Sequence, residues 1–166
     1  MKQQSLAIFD FDDTLAKTST PIIIRNTRTN RERFISSETF TTYKLKPNEI
    51  YDFRNFNKLI KNATPIKQYL ATLQRVAKHP NIRTTILTAR KLAFPVRYWL
   101  KEKFGLEVYV VALGSADSNS KRDYIEQQIL KGYSKILYID DNREFINAVR
   151  TLIPKYPKVH LHIIQA

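Results

Sequence analysis

Cysteine is absent from the chain, which excludes disulfides and thiolate metal sites and implies no oxidising compartment. No apolar run approaches the roughly 20 residues of a membrane-spanning helix. The opening Met1-Lys2-Gln3-Gln4 leads straight into a strand pattern, so neither a signal peptide nor membrane contact is expected, and a cytoplasmic protein is the default. Repeats and low-complexity tracts are missing too. At 166 residues the chain is long enough for one domain with a real core and too short for two comfortable ones. Acidic residues are in short supply: 15 Asp+Glu stand against 28 Lys+Arg, a net charge of +13. Such a surplus favours polyanionic partners through long-range attraction, with plain solubility as the ordinary alternative.

What is present centres on Ser5-Leu6-Ala7-Ile8-Phe9-Asp10-Phe11-Asp12-Asp13-Thr14. The apolar half reads as a strand buried on both faces of a parallel sheet. It ends in three carboxylates and a hydroxyl, a costly concentration of charge unless a cation or a chemical task requires it. Asp10 and Asp12 are two apart, so in an extended chain their side chains leave on the same side. Converging carboxylates there point to a divalent metal, acid–base work, or both; a solvated turn is the plain alternative.

Residues 15–63 break the rhythm and read as a small flap inserted after the first strand. Pro21-Ile22-Ile23-Ile24 is strand-like, Arg25 to Arg31 a polar turn, and Glu32-Arg33-Phe34-Ile35 a returning strand. Ser36-Ser37-Glu38 caps a short helix through Tyr43. Arg25, Arg28, Arg31 and Arg33 suit either a solvated hairpin tip or phosphate-backbone contact. Residues 48–61 are mixed, with Tyr51, Phe53 and Phe56 expected to pack the flap down rather than stack on bases.

From Thr64-Pro65, read as N-cap and first turn of a helix, the pattern becomes regular. Ile66, Leu70, Leu73, Val76 and Ala77 form that helix's apolar stripe, and His79-Pro80-Asn81 ends it. Strands follow at 83–88, 107–113, 135–139 and 159–164. Between them lie helices over 94–104, closed by Gly105 with Trp99 in the core, over about 121–132, and over Phe145, Val149 and Leu152. Strands separated by helices give an α/β, parallel, doubly covered sheet.

Four polar features then stand just past a strand or at a helix start: Asp10/Asp12/Thr14, Thr88/Arg90, Lys121 and Asp140/Asp141. Singly each has a plain reading, such as a turn cap for Thr88 or a surface position for Lys121. Together they suit phosphoryl transfer. Asp10 can attack phosphorus, and Mg²⁺ held by the two acidic strand ends would relieve carboxylate–phosphate repulsion. Asp12 can protonate the leaving alcohol and later take a proton from water. Thr88 would orient the transferring group and Lys121 offset its charge; Asp13, Thr14 and Arg90 are candidates for substrate contact.

The ordered set resembles the haloacid dehalogenase (HAD) superfamily of aspartate-nucleophile phosphohydrolases. Its apolar strand ending Asp-x-Asp-x-Thr is matched by Asp10, Asp12 and Thr14. Its strand-end Ser/Thr is matched by Thr88, its helix-start Lys by Lys121, and its acidic pair by Asp140-Asp141. The resemblance implies a three-layer, Rossmann-like α/β fold with a small cap insert and an aspartyl-phosphate intermediate on Asp10. It also implies Mg²⁺ held by the Asp10 carboxylate, the Asp12 backbone carbonyl and Asp141, with Asp140 beside it or one layer back. Asp13 stands where many members have Gly, and the further acidic residue is not at its usual spacing; Glu144 lies nearby with its role open. Phe9 to Lys17, Lys121-Arg122-Asp123 and Ile139 to Asn142 are similar to the phosphatase domains of bacteriophage-type polynucleotide kinase/phosphatases, which remove 3′-phosphates from nucleic-acid ends. No P-loop occurs, so a kinase half is absent. The expected function is a Mg²⁺-dependent phosphatase acting on phosphorylated nucleic-acid ends. The alternatives are a nucleotide or sugar-phosphate phosphatase, and a silent nucleic-acid-binding protein of the same fold.

Overall fold

The computed structural model describes residues 4–166; residues 1–3, and the reading of the lead-in that falls on them, lie outside these. The first half of the chain runs β1 (Gln4–Phe9), β2 (Ala16–Thr18), β3 (Ile22–Asn26), β4 (Glu32–Ile35), α1 (Ser37–Thr42), β5 (Glu49–Asp52), a 3₁₀ turn (Arg54–Asn57) and β6 (Ala63–Pro65). The second runs α2 (Lys67–Ala77), β7 (Ile82–Thr88), α3 (Phe94–Phe104), β8 (Tyr109–Ala112), α4 (Ser120–Leu130), β9 (Tyr133–Asp140), α5 (Arg143–Arg150), α6 (Leu152–Lys155) and β10 (His160–Gln165).

Five of these strands form one sheet in the order β10-β9-β1-β7-β8, with β1 central and every neighbouring pair parallel. Alternation along β1 feeds two cores. Ala7 and Phe9 pack with Leu70, Leu73, Val96, Trp99 and Leu100 of α2 and α3. Leu6 and Ile8 pack with Ile125, Ile129, Ile146 and Val149 of α4 and α5. Burying one such side chain contributes about 1.5–3 kcal/mol, and a strand buried on both sides draws that gain at every position, which is why its sequence is continuously apolar. The result is mixed α/β with helices on both faces, compatible with a Rossmann-like architecture.

Residues between β1 and α2 form the insert. A two-stranded antiparallel ribbon, β2 with β6, carries a three-stranded antiparallel sheet in the order β4-β3-β5. The hairpin and the capped helix stand where the sequence puts them: the Ser36 hydroxyl accepts from the Thr39 amide at the start of α1. Tyr51 and Phe56 pack on Ile22, Ile24 and Ile35, and Phe53 meets Phe40, Tyr51 and Phe56 edge-on or tilted, so these aromatics hold the insert together. Strand β5 is an addition to the expected hairpin. Its four residues follow a turn at Asn48, whose φ of 65° suits Asn better than most residues, and a four-residue strand offers too short a window for its period to stand out.

Two expectations differ at element boundaries. The single helix expected over Phe145, Val149 and Leu152 is two, α5 ending at Arg150 and α6 beginning at Leu152. Thr64-Pro65 does not open a helix; Pro65 pairs with Ala16 in the ribbon, where a strand edge tolerates the missing N–H. Helix α2 begins at Lys67, and the Ile66 amide before it bonds the Leu15 carbonyl at 2.8 Å. At the other end of the next helix Gly105 does close α3, with φ of 61° and its amide on the Leu100 and Lys101 carbonyls.

Candidate active site

Strand parity and register build the centre of the site. Leu6 and Ile8 on β1, and Ile136 and Tyr138 on β9, face α4 and α5. Phe9 is level with Ile139. The next residues on that same face are therefore Asp10 and Asp140, side by side at the carboxyl edge, with the Asp10 amide on the Ile139 carbonyl at 2.9 Å. Lys121, in the first turn of α4, reaches between them: its Nζ lies 2.7 Å from Asp10 Oδ1 and 2.6 Å from Asp140 Oδ2. The lysine is only 1% exposed, and its ammonium sits 4.5 Å from the centre of the Phe145 ring. It is no surface lysine. A buried charge of this kind is tolerated only when paired and fully bonded.

Asp140 is bonded on every side. Besides Lys121, the Tyr138 hydroxyl donates to its Oδ2 at 2.5 Å and the Asn142 amide to its Oδ1 at 2.8 Å. Asp141 is freer. Its Oδ1 accepts from Thr14, whose hydroxyl lies 3.2 Å both from that atom and from Asp10 Oδ2. Asn142 caps α5 through the amides of Glu144 and Phe145, while the Glu144 side chain stays exposed.

Asp12 goes elsewhere. β1 ends at Phe9, and the amides of Thr14, Leu15 and Ala16 all turn back onto the Phe11 carbonyl, so the period of two no longer applies past Asp10. Arg90 grips Asp12 with both arms of its fork, Nε to Oδ2 at 2.8 Å and Nη2 to Oδ1 at 2.6 Å, and Thr18 donates to Oδ1 at 2.8 Å. The guanidinium is buried and also donates to the Phe56 carbonyl at 3.1 Å, which ties the insert to the site. Asp13 adopts φ of 61°, the left-handed geometry that its short polar side chain bears better than most. Thr88 is buried with the parity of Ile86, on the α2–α3 side of the sheet. Its hydroxyl accepts from the Arg90 amide at 3.2 Å, as a turn cap does. The structure thus joins Asp10, Thr14, Lys121, Asp140 and Asp141 in one network and Asp12, Arg90 and Thr18 in another; Thr88 braces the turn that carries Arg90.

The charges strain one another. Burial first, then Asp140, pushes the Asp10 carboxyl well above the usual carboxylate range, against the pull of Lys121. Burial and Asp140 push Asp141 up to about 6, and burial and Asp12 raise Asp13. Burial opposes the Lys121 charge, yet Asp10 and Asp140 outweigh it, so the ammonium is held protonated. Carboxylate oxygens of Asp10, Asp140 and Asp141 all come within 4.8 Å of one another. All-oxygen donors with excess negative charge match a hard divalent cation such as Mg²⁺. With Asp140 saturated by Lys121, Tyr138 and Asn142, the carboxylates free to hold that cation are Asp10 and Asp141.

Tyr138, Thr18 and Phe145 were not among the candidates from sequence. Tyr138 had a usable signal: it lies two residues before Asp140 on a strand, hence on the same face. Thr18 and Phe145 had none, being single residues placed by the ribbon and by α5. No protein-family model, curated protein or solved structure matches the chain.

Proposed function

We propose that the protein is a Mg²⁺-dependent phosphatase of the aspartate-nucleophile, HAD-like type, acting on phosphorylated nucleic-acid ends. The observation that carries this reading is the buried Asp10 carboxylate, held at one oxygen by Lys121 and facing Asp141 across Thr14. Asp10 and Asp141 would hold the Mg²⁺, which when bound neutralises the repulsion between carboxylate and phosphate dianion. Asp140 aims Lys121, so the ammonium sits where negative charge on the transferring group needs an opposite charge.

Asp10 attacks phosphorus through one carboxylate oxygen, the bond from phosphorus to the ester oxygen breaks, and the leaving alcohol takes a proton from Asp12. Water then attacks the aspartyl-phosphate, giving its proton to Asp12; inorganic phosphate leaves and the Asp10 carboxylate is restored. Before substrate arrives, the Asp12 oxygens accept three donated bonds, two from Arg90 and one from Thr18. A substrate phosphate competes with Asp12 for Arg90, which frees the Asp12 carboxyl to face the leaving oxygen. Thr14 and Asp13 border the same loop, and Thr88 contributes by fixing the Arg90 turn.

The net charge of +13 and the resemblance to polynucleotide phosphatases support a nucleic-acid end as substrate. The test is phosphate release with Mg²⁺ from 3′- and 5′-phosphorylated oligonucleotides and from mononucleotides, with Asp10→Asn as blank. Release from the 3′-phosphorylated oligonucleotide that Asp10→Asn abolishes is the expected result. Release undiminished in Asp10→Asn removes the nucleophile, and a mononucleotide hydrolysed at least as well as the oligonucleotide removes the nucleic-acid substrate.

A further inference from the structure

The surface beside the acidic loop is a groove of about 510 Å³ between the β2–β6 ribbon and α3. Lys17, Thr18 and Ser19 come from the outgoing strand, Lys61 and Asn62 from the returning one, and Lys103 from the helix. The groove starts one side chain from the site, since Thr18 is also the residue whose hydroxyl holds Asp12 Oδ1. All three lysines are exposed, and among the described residues none has a carboxylate within ion-pair distance. Of the four insert arginines expected to meet a polyanion, Arg33 differs, since it pairs with Glu49.

Five carboxylates crowd the loop ends against Lys121 and Arg90, so an anionic chain is repelled there unless cations stand close by. Screening confines such help to about 8 Å at physiological salt. Lys17 on the groove wall acts on the acidic loop: burial and Asp12 raise the Asp13 carboxyl, and the Lys17 charge pulls it down against them. The Thr18 and Ser19 hydroxyls already donate to Asp12 and to the Asn62 carbonyl, which leaves the Thr64 hydroxyl and the Asn62 amide on the groove wall for phosphate and sugar oxygens. The one aromatic lining it, Trp99, is 3% exposed and offers no face for a base, so binding there is to backbone and independent of sequence.

We infer that this groove holds the phosphodiester backbone of a nucleic-acid strand whose end lies at Asp10. The placement of that end rests on the phosphatase reading; the binding itself does not. The probe is a fluorescein-labelled oligothymidylate of about ten nucleotides, within the usual single-strand site sizes, carrying a 3′-hydroxyl so that it is not a substrate. Fluorescence anisotropy with the wild-type protein and Mg²⁺ reads the affinity as NaCl is raised. The triple variant Lys17→Gln, Lys61→Gln, Lys103→Gln is expected to lose about tenfold or more in affinity. Its log–log salt slope should be shallower by about 2, at about 0.7 per phosphate contact. A control triple at the exposed Lys131, Lys135 and Lys158, with the same loss of charge, should keep affinity and slope near wild type.

Equal losses in the two triples, or no loss in the first, overturn the groove. The same variants tested in hydrolysis separate the two readings. A raised KM for a 3′-phosphorylated oligonucleotide, with mononucleotide hydrolysis unchanged, supports both. Groove-dependent binding without any hydrolysis leaves the groove standing and removes the phosphatase. Oligonucleotide hydrolysis indifferent to the groove lysines does the reverse.

Discussion

Tyr138 shows how one side chain supports a charge that it does not carry. Burial first, then Asp140, pushes its hydroxyl far above the ordinary range, so it stays protonated and donates. The acceptor, Asp140, is fully buried, and its other oxygen is taken by the Asn142 amide. Hydrogen bonds to charged groups are each worth about 1.5–3 kcal/mol. Tyr138→Phe should therefore lower unfolding free energy by about 2 kcal/mol with an unchanged urea m-value, because only a hydroxyl is removed from an otherwise filled site. The residue also explains why Asp140 and Asp141, adjacent in sequence, differ in task. The first is locked inward by three donors; the second keeps oxygens to spare. Substituting Asp10 acts at this scale too, and its expected outcome is loss of phosphate release.

Among the elements, the insert stands out because its polar face closes around one carboxylate. Glu49 at the start of β5 accepts from the Tyr43 hydroxyl at 2.5 Å, from the Lys46 amide at 2.8 Å and from Arg33 at 2.9 Å. In that order these donors pull it down to about 2. A carboxyl depressed on folding contributes stability that is fully present above its unfolded value near 4.5 and lost as pH falls through about 2. Hydrogen exchange of the β3–β5 amides should thus speed up between pH 4.5 and 2 relative to the β1–β9 amides. Glu49→Gln should flatten that dependence. The same clamp uses up Arg33, one of the four arginines whose spacing pointed to a phosphate backbone.

The molecule as a whole combines a basic surface with an acidic centre. Net +13 repels itself at low salt, while Asp10, Asp140 and Asp141 gather negative charge within a few ångström. On the proposed reading a divalent cation would bind that centre in the folded state only, and at a hundredfold excess over its dissociation constant would add about 2.7 kcal/mol. MgCl₂ should raise the melting temperature more than NaCl of equal ionic strength, and Asp141→Asn should remove the difference. No described helix is long and apolar enough to cross a membrane.

Local pattern was enough for much of this. The doubly buried β1, the cap of α1, the Gly105 stop of α3 and the acidic strand ends all lie within windows of a few residues, where periodicity and turn chemistry speak directly. Partnership was not legible. Lys121 bonds Asp10 across 111 positions, Arg90 bonds Asp12 across 78, and Thr14 meets Asp141 across 127. Asp10 and Asp12 share a face only for as long as the strand continues, and it stops at Phe9. Sequence alone decided which groups could do chemistry; parallel register and the turn after β1 decided which of them meet, because those depend on how distant strands align and not on any repeat within one segment.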